Sequence, residues 1–223
     1  MKNQRGLFIT GTDTEVGKTV VSVALLTMLK RQGLSTAAMK PVASGAVKTN
    51  DQFINDDALQ LQQAASINAS YAQVNPYVFP EAIAPHIAAA QAGLEIDFAI
   101  IKQAFQHLAE NSDFILVEGV GGWLAPLNRQ QTVADLALAL ELPVLLVVGL
   151  RLGCINHALL SARAIEQSGA TLLGWIANKV QGDYPCVDDN IEAISQRLNV
   201  PLLATLDHCH DAASLMLDIR LEL

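Results

Sequence analysis

The chain has 223 residues, of which 51% are hydrophobic and 16% are charged, and its formal net charge at pH 7 is −8. The apolar content excludes a disordered chain, the acidic balance argues against nucleic acid as a partner, and no apolar run reaches the roughly 18 residues of a membrane span. The three cysteines lack metal-ligand spacing, which predicts reduced thiols and a cytoplasmic protein.

Apolar segments and helical patterns alternate along the chain. Continuous apolar runs predict strands at residues 6–9, 35–40, 114–118, 144–148, 172–178 and 202–205. Helical patterns lie between them, near residues 20–32, 56–66, 97–110, 132–141, 155–168 and 186–198. Continuous runs are typical of strands that are covered on both faces. We therefore predict an α/β fold, a mostly parallel sheet with helices on both faces, in a single domain over residues 1–223.

A glycine-containing loop joins the first strand to the first helix. It spans residues 10–19, with the sequence TGTDTEVGKT, and five residues separate Gly11 from Gly17, where the common pattern has four. Strand, loop, Gly-Lys-Thr and helix together predict a phosphate-binding loop and a P-loop NTPase-like fold. The loop amides and the helix N-terminus offer partial positive charge to a phosphate. Lys18 is expected to reach the β- and γ-phosphates, and the Thr19 hydroxyl to ligate Mg²⁺.

Lys40 ends the second predicted strand, within Lys40-Pro41-Val42-Ala43-Ser44-Gly45. We expect it beside the phosphate loop, because the second strand of such a fold usually neighbours the first. There it would stabilise charge on a transferring phosphoryl group or on an anionic substrate. A solvated surface lysine is the alternative. Ser44 either supplies a hydroxyl to the same site or begins a turn with Gly45.

Glu118 ends the third predicted strand and precedes Gly119-Val120-Gly121-Gly122. A carboxylate in this place can hold Mg²⁺ directly or through water, and the glycines allow a ligand to approach the backbone closely. The alternative is a carboxylate at a strand end beside a flexible loop. A phosphate loop needs an acidic partner for its metal, which favours the metal-binding interpretation.

Three further segments lie at predicted helix starts. In Asn55-Asp56-Asp57, one acid is expected to be the helix N-cap and the other to reach the metal, and the sequence leaves the choice between them open. Thr132 and Asp135 have the spacing of a capping box. Residues 151–157 follow the fourth strand and open a helix whose N-terminus can bind an anion.

These segments, in this order, resemble the dethiobiotin synthetase family. The resemblance covers about residues 6–180 and includes the extended phosphate loop with its extra residue. It is carried by residues 11–19, 40–45, 117–122, 152–157 and 174–178, and also by Val74-Asn75-Pro76-Tyr77 and Pro85-His86.

The resemblance implies a homodimer with its site at the subunit interface. Such an enzyme is a C–N bond-forming ligase of biotin biosynthesis, which closes a cyclic urea from 7,8-diaminononanoate, CO2 and ATP. An amine takes up CO2 to give a carbamate, whose oxygen attacks the γ-phosphorus. The second amine then closes the ring and expels phosphate.

The resemblance also implies roles for individual residues. Asp57, rather than Asp56, would join Thr19 and Glu118 around Mg²⁺. The groups facing the carbamate and the γ-phosphate would be Thr14, Lys40 and Ser44, with Lys18 on phosphate. The nucleotide would contact Glu15, Val16, Gly17, Lys18, Thr19, Val20, Asp57, Glu118, Gly119, Val120, Gly121 and, at the adenine, Asn178. The helix start at Gly153 and Asn156 would receive the substrate carboxylate of the other subunit.

Two late segments depart from the family pattern. Lys179 stands where the family often has an acid, and residues 205–209 replace an apolar, proline-containing stretch that helps to frame the adenine. Weak selection of the nucleotide base is therefore expected.

Two other protein classes share this core. A partition-type ATPase would carry a lysine just after the first glycine, where this chain has Thr12, and often a basic membrane-binding helix, where residues 215–223 are acidic. An amide-forming synthetase of the cobyrinate type would need a glutamine-hydrolysing domain, for which 223 residues leave little room.

Overall fold

A computed structural model describes residues 5–182 and 184–208. The strands are β1 (Arg5–Gly11), β2 (Thr36–Met39), β3 (Val42–Ser44), β4 (Val47–Thr49), β5 (Gln52–Ile54), β6 (Tyr77–Phe79), β7 (Phe114–Glu118), β8 (Val144–Gly149), β9 (Leu172–Asn178) and β10 (Leu202–Leu206). The helices are α1 (Lys18–Arg31), α2 (Asp56–Ala64), α3 (Tyr71–Val74), α4 (Pro85–Gln91), α5 (Phe98–Glu110), α6 (Val133–Ala139), α7 (Cys154–Gln167) and α8 (Val187–Ser195).

A six-stranded parallel sheet runs through the centre, in the order β10–β9–β8–β1–β7–β2. These are the six predicted strands, and β7 and β9 have the predicted bounds. Helices α1, α2 and α5 to α8 occupy the predicted helical segments, with ends that differ by at most three residues. The prediction of a mostly parallel sheet flanked by helices is confirmed.

The sheet is covered on both faces, as the continuous apolar runs predicted. On β1, Leu7 and Ile9 face the cluster that contains Leu25 of α1, whereas Phe8 faces the opposite cluster with Ile101 of α5. Successive strand residues point to opposite faces, so both faces of an internal strand need apolar side chains.

The position of β2 differs from the expectation. β1 pairs with β7 and β8, and among the described strands β2 pairs only with β7. The expectation that β2 neighbours β1 is wrong, because β7 lies between them. Lys40 therefore approaches the phosphate loop across Glu118, the last residue of β7, rather than directly.

The segment between β2 and α5 contains structure that the sequence patterns did not indicate. It holds the parallel pair β3–β6, the hairpin β4–β5 and the short helices α3 and α4. These elements have three to seven residues each, too few to show a periodicity.

The remaining predictions concern the capping box, the cysteines and membrane-spanning segments. The capping box is confirmed, since the Asp135 carboxylate accepts hydrogen bonds from the Thr132 backbone and hydroxyl. Cys154 and Cys186 are free thiols, whereas Cys209 and residues 215–223 lie outside the described residues. Over residues 5–182 and 184–208, no helix combines the length and apolar character that a membrane crossing needs.

Candidate active site

The phosphate loop turns into α1 through Gly17, which is the N-cap of the helix. Its backbone is left-handed, with φ of 87°, and a Cβ there would lie 2.0 Å from Nδ2 of Asn178. That nitrogen donates a 2.9 Å hydrogen bond to the Val16 carbonyl. Both the backbone angle and the close contact therefore require glycine. Asn178 ends β9, which is separated from β1 by β8, so the fold anchors the loop from another strand end at the same edge of the sheet.

Asp13 braces the same loop with three oxygen atoms. Its backbone carbonyl accepts a 2.8 Å hydrogen bond from the Lys18 ammonium, and its carboxylate accepts one of 2.8 Å from the Thr14 amide. The second carboxylate oxygen lies 2.6 Å from the Arg151 guanidinium, just before α7. Burial, followed by repulsion from Lys40, lowers the pKa of Lys18 from 10.5 to about 8. A negatively charged ligand beside Lys18 would favour its charged form and raise its pKa again.

Lys40 forms the centre of a buried charge cluster. Only 4% of the residue is exposed, and its ammonium lies 2.5 Å from Glu118 and 3.2 Å from Asp57. The Thr19 hydroxyl donates a 3.0 Å hydrogen bond to the same Glu118 oxygen. Burial opposes the charge, yet the two carboxylates raise the pKa of Lys40 above its ordinary value. The alternative of a solvated surface lysine is wrong.

The start of α2 corrects one prediction. Asn55, rather than an acid, is the N-cap, and its side chain accepts from the Ala58 amide at 3.2 Å. Asp56 turns to Gln60 on the exposed side, while Asp57 faces Lys40. Burial would raise the pKa of Asp57, but Lys40 and the Thr19 hydroxyl hold it below its usual range. Asn is as good an N-cap as Asp, so composition alone could not separate them.

The oxygen atoms around Lys40 have the chemistry of a magnesium site. Thr19, Asp57 and Glu118 offer a hydroxyl and two carboxylates, which are hard ligands of the kind Mg²⁺ prefers. Within the described residues, no group of three or more His, Cys, Asp and Glu side chains is placed to hold a metal. Mg²⁺ at this position would therefore depend on Thr19 and on the phosphate oxygens of a nucleotide.

A cavity of 770 Å³ opens over this cluster. Its polar wall includes the buried Ser44 hydroxyl oxygen, for which the described part of the chain provides no hydrogen-bond partner. The proposed site residues that line the cavity are Thr14, Glu15, Gly17, Lys18, Thr19, Val20, Lys40, Ser44, Asp57, Val120 and Gly121. The structure thus brings together the phosphate loop and the ends of β2, β3 and β7.

Other proposed residues lie outside the cavity lining. Glu118 and Val16 are buried behind it, and Gly119 joins β1 through a 2.9 Å hydrogen bond to the Ile9 carbonyl. Gly153 is the N-cap of α7, with φ of 94°, and both it and Asn156 are exposed. The α7 start of this chain therefore does not contact the cavity of this chain.

Comparisons with known proteins identify the family. A family model described as an AAA domain matches residues 5–214. The ATP-dependent dethiobiotin synthetase of Aromatoleum aromaticum is 47% identical, over 99% of each chain, and that of Cellvibrio japonicus is 45% identical, over 97% of each chain. The chain belongs to the ATP-dependent dethiobiotin synthetase family. The resemblance stated from the sequence motifs is confirmed.

Solved structures add the fold. The MinD protein of Pyrococcus horikoshii superposes with a TM-score of 0.52 at 20% identity, over 92% of this chain and 82% of that chain. A ParA family ATPase of Chlorobium tepidum gives a TM-score of 0.55 at 11% identity, over 94% and 87%. Identities this low support the P-loop NTPase fold alone. They do not support the partition-type alternative, because the dethiobiotin synthetase relatives are far more similar to this chain in sequence.

Ser22 is a site residue that sequence reasoning missed. It is fully buried, and its hydroxyl lies 2.8 Å from the second carboxylate oxygen of Glu118 and 2.8 Å from the Lys18 carbonyl. Ser22 lies three residues after Thr19, so both side chains lie on one face of α1. A polar residue at that spacing inside an apolar helix was the available signal.

The two departures from the dethiobiotin synthetase pattern contact each other. The Lys179 ammonium lies 2.7 Å from the Asp207 carboxylate, and the Lys179 amide donates to the Leu206 carbonyl at 2.9 Å. The lysine thus offsets the negative charge that Asp207 introduces. The pair is largely exposed, so its contribution to stability is small.

Proposed function

We propose that this protein catalyses the ATP-dependent closure of 7,8-diaminononanoate and CO2 to dethiobiotin, with release of ADP and phosphate. The observation that carries the proposal is the cluster of Lys40, Asp57 and Glu118, in a chain that belongs to the dethiobiotin synthetase family. Lys40 and Asp57 line the phosphate-loop cavity, and Glu118 is buried behind them. The reaction forms C–N bonds and belongs to biotin biosynthesis.

The phosphate loop would hold the nucleotide. Amide groups at the start of α1 and the Lys18 ammonium provide positive charge for the β- and γ-phosphates. Asn178 supports the loop through the Val16 carbonyl. Thr19, Asp57 and Glu118 would hold Mg²⁺, which when bound neutralises charge on the phosphate oxygens.

The chemical steps need little covalent work from the protein. One amine of the substrate adds to CO2 and loses a proton, which gives a carbamate. A carbamate oxygen attacks the γ-phosphorus and ADP leaves. The second amine then attacks the carbamate carbon and loses a proton, the C–O bond to phosphate breaks, and the urea ring closes.

Lys40 would serve the step that brings two anions together. The carbamate and the γ-phosphate repel each other, and a preorganised cation between them offsets that repulsion. Lys40 is buried and held charged, so no solvent reorganisation is needed to use it. Thr14 and Ser44 lie on the same cavity and would orient the carbamate end of the substrate.

The proposed test measures product and phosphate together. Purified protein is incubated with ATP, Mg²⁺, the diamine and isotopically labelled bicarbonate, and dethiobiotin is detected by mass spectrometry. We expect labelled dethiobiotin and phosphate release that requires both diamine and bicarbonate. Phosphate release without them, and no product, would overturn the proposal and favour a nucleotide-dependent switch.

Lys40→Ala tests the role of Lys40, and Lys30→Ala, on the exposed last turn of α1, is its matched control. Loss of one preorganised cation lowers the rate by roughly 10²–10³-fold. We expect that loss only in Lys40→Ala. Near-normal turnover in this variant would remove Lys40 from the mechanism.

The shared site of a homodimer is a further part of the proposal. The α7 start is exposed and lies outside the cavity of its own chain, which supports a role in binding the substrate carboxylate of a neighbouring subunit. Mixing an Asn156→Ala protein with a Lys40→Ala protein should restore part of the activity through hybrid dimers. No recovery after verified subunit exchange would count against a shared site.

A further inference from the structure

Three residues of the proposed site come from three separate elements. Lys40 follows β2, Ser44 ends β3, and Asp57 lies in the first turn of α2. Short, irregular segments connect these elements, so their mutual distances depend on tertiary contacts. The hydrogen bonds between these elements form one continuous network.

Asn75 is the first member of the network. It is 2% exposed, and its side-chain nitrogen donates hydrogen bonds of 2.6 Å to the Lys40 carbonyl and 3.1 Å to the Tyr77 carbonyl. Its side-chain oxygen accepts one of 2.9 Å from the Tyr71 hydroxyl. The Lys40 amide in turn donates to the Val74 carbonyl at 2.8 Å. The backbone of Lys40 is therefore bonded on both sides to residues 74–75.

Tyr71 joins Asn75 to the start of α2. Its hydroxyl donates to Asn75 and accepts a 2.8 Å hydrogen bond from the Asn55 amide. Burial raises the pKa of Tyr71, although the bond from Asn55 opposes the shift, so the phenol stays neutral and keeps the proton it donates. One hydroxyl thus connects two segments 20 residues apart in the chain.

Asn55 completes the network. Its side-chain nitrogen donates a 3.2 Å hydrogen bond to the Ser44 carbonyl, while its side-chain oxygen accepts from the Ala58 amide at 3.2 Å. It is 8% exposed. The same side chain therefore fixes the end of β3 and caps the helix that carries Asp57.

We propose that Asn75, Tyr71 and Asn55 are positioning residues for the proposed reaction, which hold Lys40, Ser44 and Asp57 in one arrangement through a buried hydrogen-bond network. The inference rests on the proposed function, since it assigns the network to that site. It gives a physical role to the Asn-Pro-Tyr segment at residues 75–77, whose side chains do not line the cavity.

The network acts on geometry because its members are buried and mutually bonded. Removing one hydroxyl leaves the Asn55 amide and the Asn75 oxygen without a partner, and the chain shifts to satisfy them. A displacement of about 1 Å at a reacting group can cost about 100-fold in rate. In the described part of the chain, Asn55, Tyr71 and Asn75 form no hydrogen bond with the phosphate loop, so the expected loss is in kcat rather than in ATP binding by the loop.

Tyr71→Phe tests the proposal, with Tyr77→Phe as its matched control. The Tyr77 hydroxyl also accepts a backbone hydrogen bond, of 2.9 Å from the Asp97 amide, and Tyr77 is 8% exposed. Each variant loses one hydroxyl and leaves one backbone amide unpaired, so both should lower the melting temperature. Only the Tyr71 hydroxyl leads to Lys40, Ser44 and Asp57.

The expected result is a kcat for dethiobiotin formation at least about tenfold lower in Tyr71→Phe, with KM for ATP within about twofold of the wild type. Tyr77→Phe should keep kcat within about twofold of the wild type. Equal kcat in the two variants, at a temperature where both are folded, would overturn the proposal. A rise in KM for ATP that accounts for the whole loss would overturn it too.

Asn55→Ser and amide exchange give independent readouts. Serine keeps the helix cap but loses the bond to the Ser44 carbonyl, so kcat should fall while melting temperature changes little. In ligand-free protein, Tyr71→Phe should accelerate exchange of the Lys40 and Asn55 amide hydrogens together, and Tyr77→Phe should not. If the wild type makes no dethiobiotin, the proposed function fails. In that case the amide-exchange result alone tests whether the network holds Lys40 and Asn55 in place.

Discussion

Lys18 should destabilise the ligand-free protein while serving its function, and Lys18→Met tests this. Methionine has a similar length without the charge. Lowering the pKa of Lys18 from 10.5 to about 8 costs the folded, charged state about 3 kcal/mol, at about 1.4 kcal/mol per pKa unit. The substitution also removes the 2.8 Å hydrogen bond to the Asp13 carbonyl, which offsets about 1 kcal/mol. We therefore expect the variant to be about 2 kcal/mol more stable near pH 7.

The pH dependence follows from the direction of the pKa change. Below pH 8, both the folded and the unfolded chain carry the proton on Lys18, so the penalty is fully present. Between pH 8 and 10.5 the folded protein releases the proton while the unfolded chain retains it, so the wild type gains stability relative to the variant. The difference should shrink by about 2 kcal/mol between about pH 7 and about pH 9.5.

Urea unfolding at several pH values, in a metal-chelating buffer without nucleotide, measures these differences. Lys30→Met, at an exposed position of the same helix, is the control for the loss of a lysine from α1. A Lys18→Met protein that is less stable than the wild type near pH 7, or whose advantage is constant with pH, would refute the reasoning. The same variant should lose dethiobiotin formation, because the phosphates lose their lysine.

Three other predictions concern Mg²⁺ binding, the phosphate loop and the selection of the nucleotide base. Glu118→Gln and Asp57→Asn should each raise the Mg²⁺ concentration needed for activity, since each loses a hard anionic ligand, and an unchanged Mg²⁺ titration would exclude that residue. Gly17→Ala should abolish measurable ATP binding in equilibrium dialysis, because a Cβ would lie 2.0 Å from Asn178; normal affinity would contradict the packing argument. GTP or CTP should support turnover with about a tenfold lower kcat/KM, roughly 1.4 kcal/mol. One amide hydrogen of Asn178 is already donated to the phosphate loop, so Asn178 has only one left to distinguish adenine from other bases. A preference for ATP above about a thousandfold would contradict this.

The sequence by itself determined the elements and the chemistry at their ends. Strands β7 and β9 have the predicted bounds, because runs of apolar residues ended by Glu118 and Asn178 are local signals that burial on both faces requires. The phosphate loop was likewise readable, since its residues are contiguous. Parallel strands present their carboxyl ends at one edge of a sheet, so Lys40 and Glu118 were each expected near the phosphate loop before any distance was known.

The tertiary structure decided how those elements are joined. Placement of β7 between β1 and β2 pairs β7 with segments about 80 and about 110 residues earlier in the chain, and local periodicity carries no information about it. The same holds for the choice of Asn55 as helix cap, for the pairing of Lys179 with Asp207, and for the network through Tyr71. Each depends on which polar groups the folded chain brings next to each other. Most buried polar groups find a partner, but only the folded chain determines which partner lies within reach.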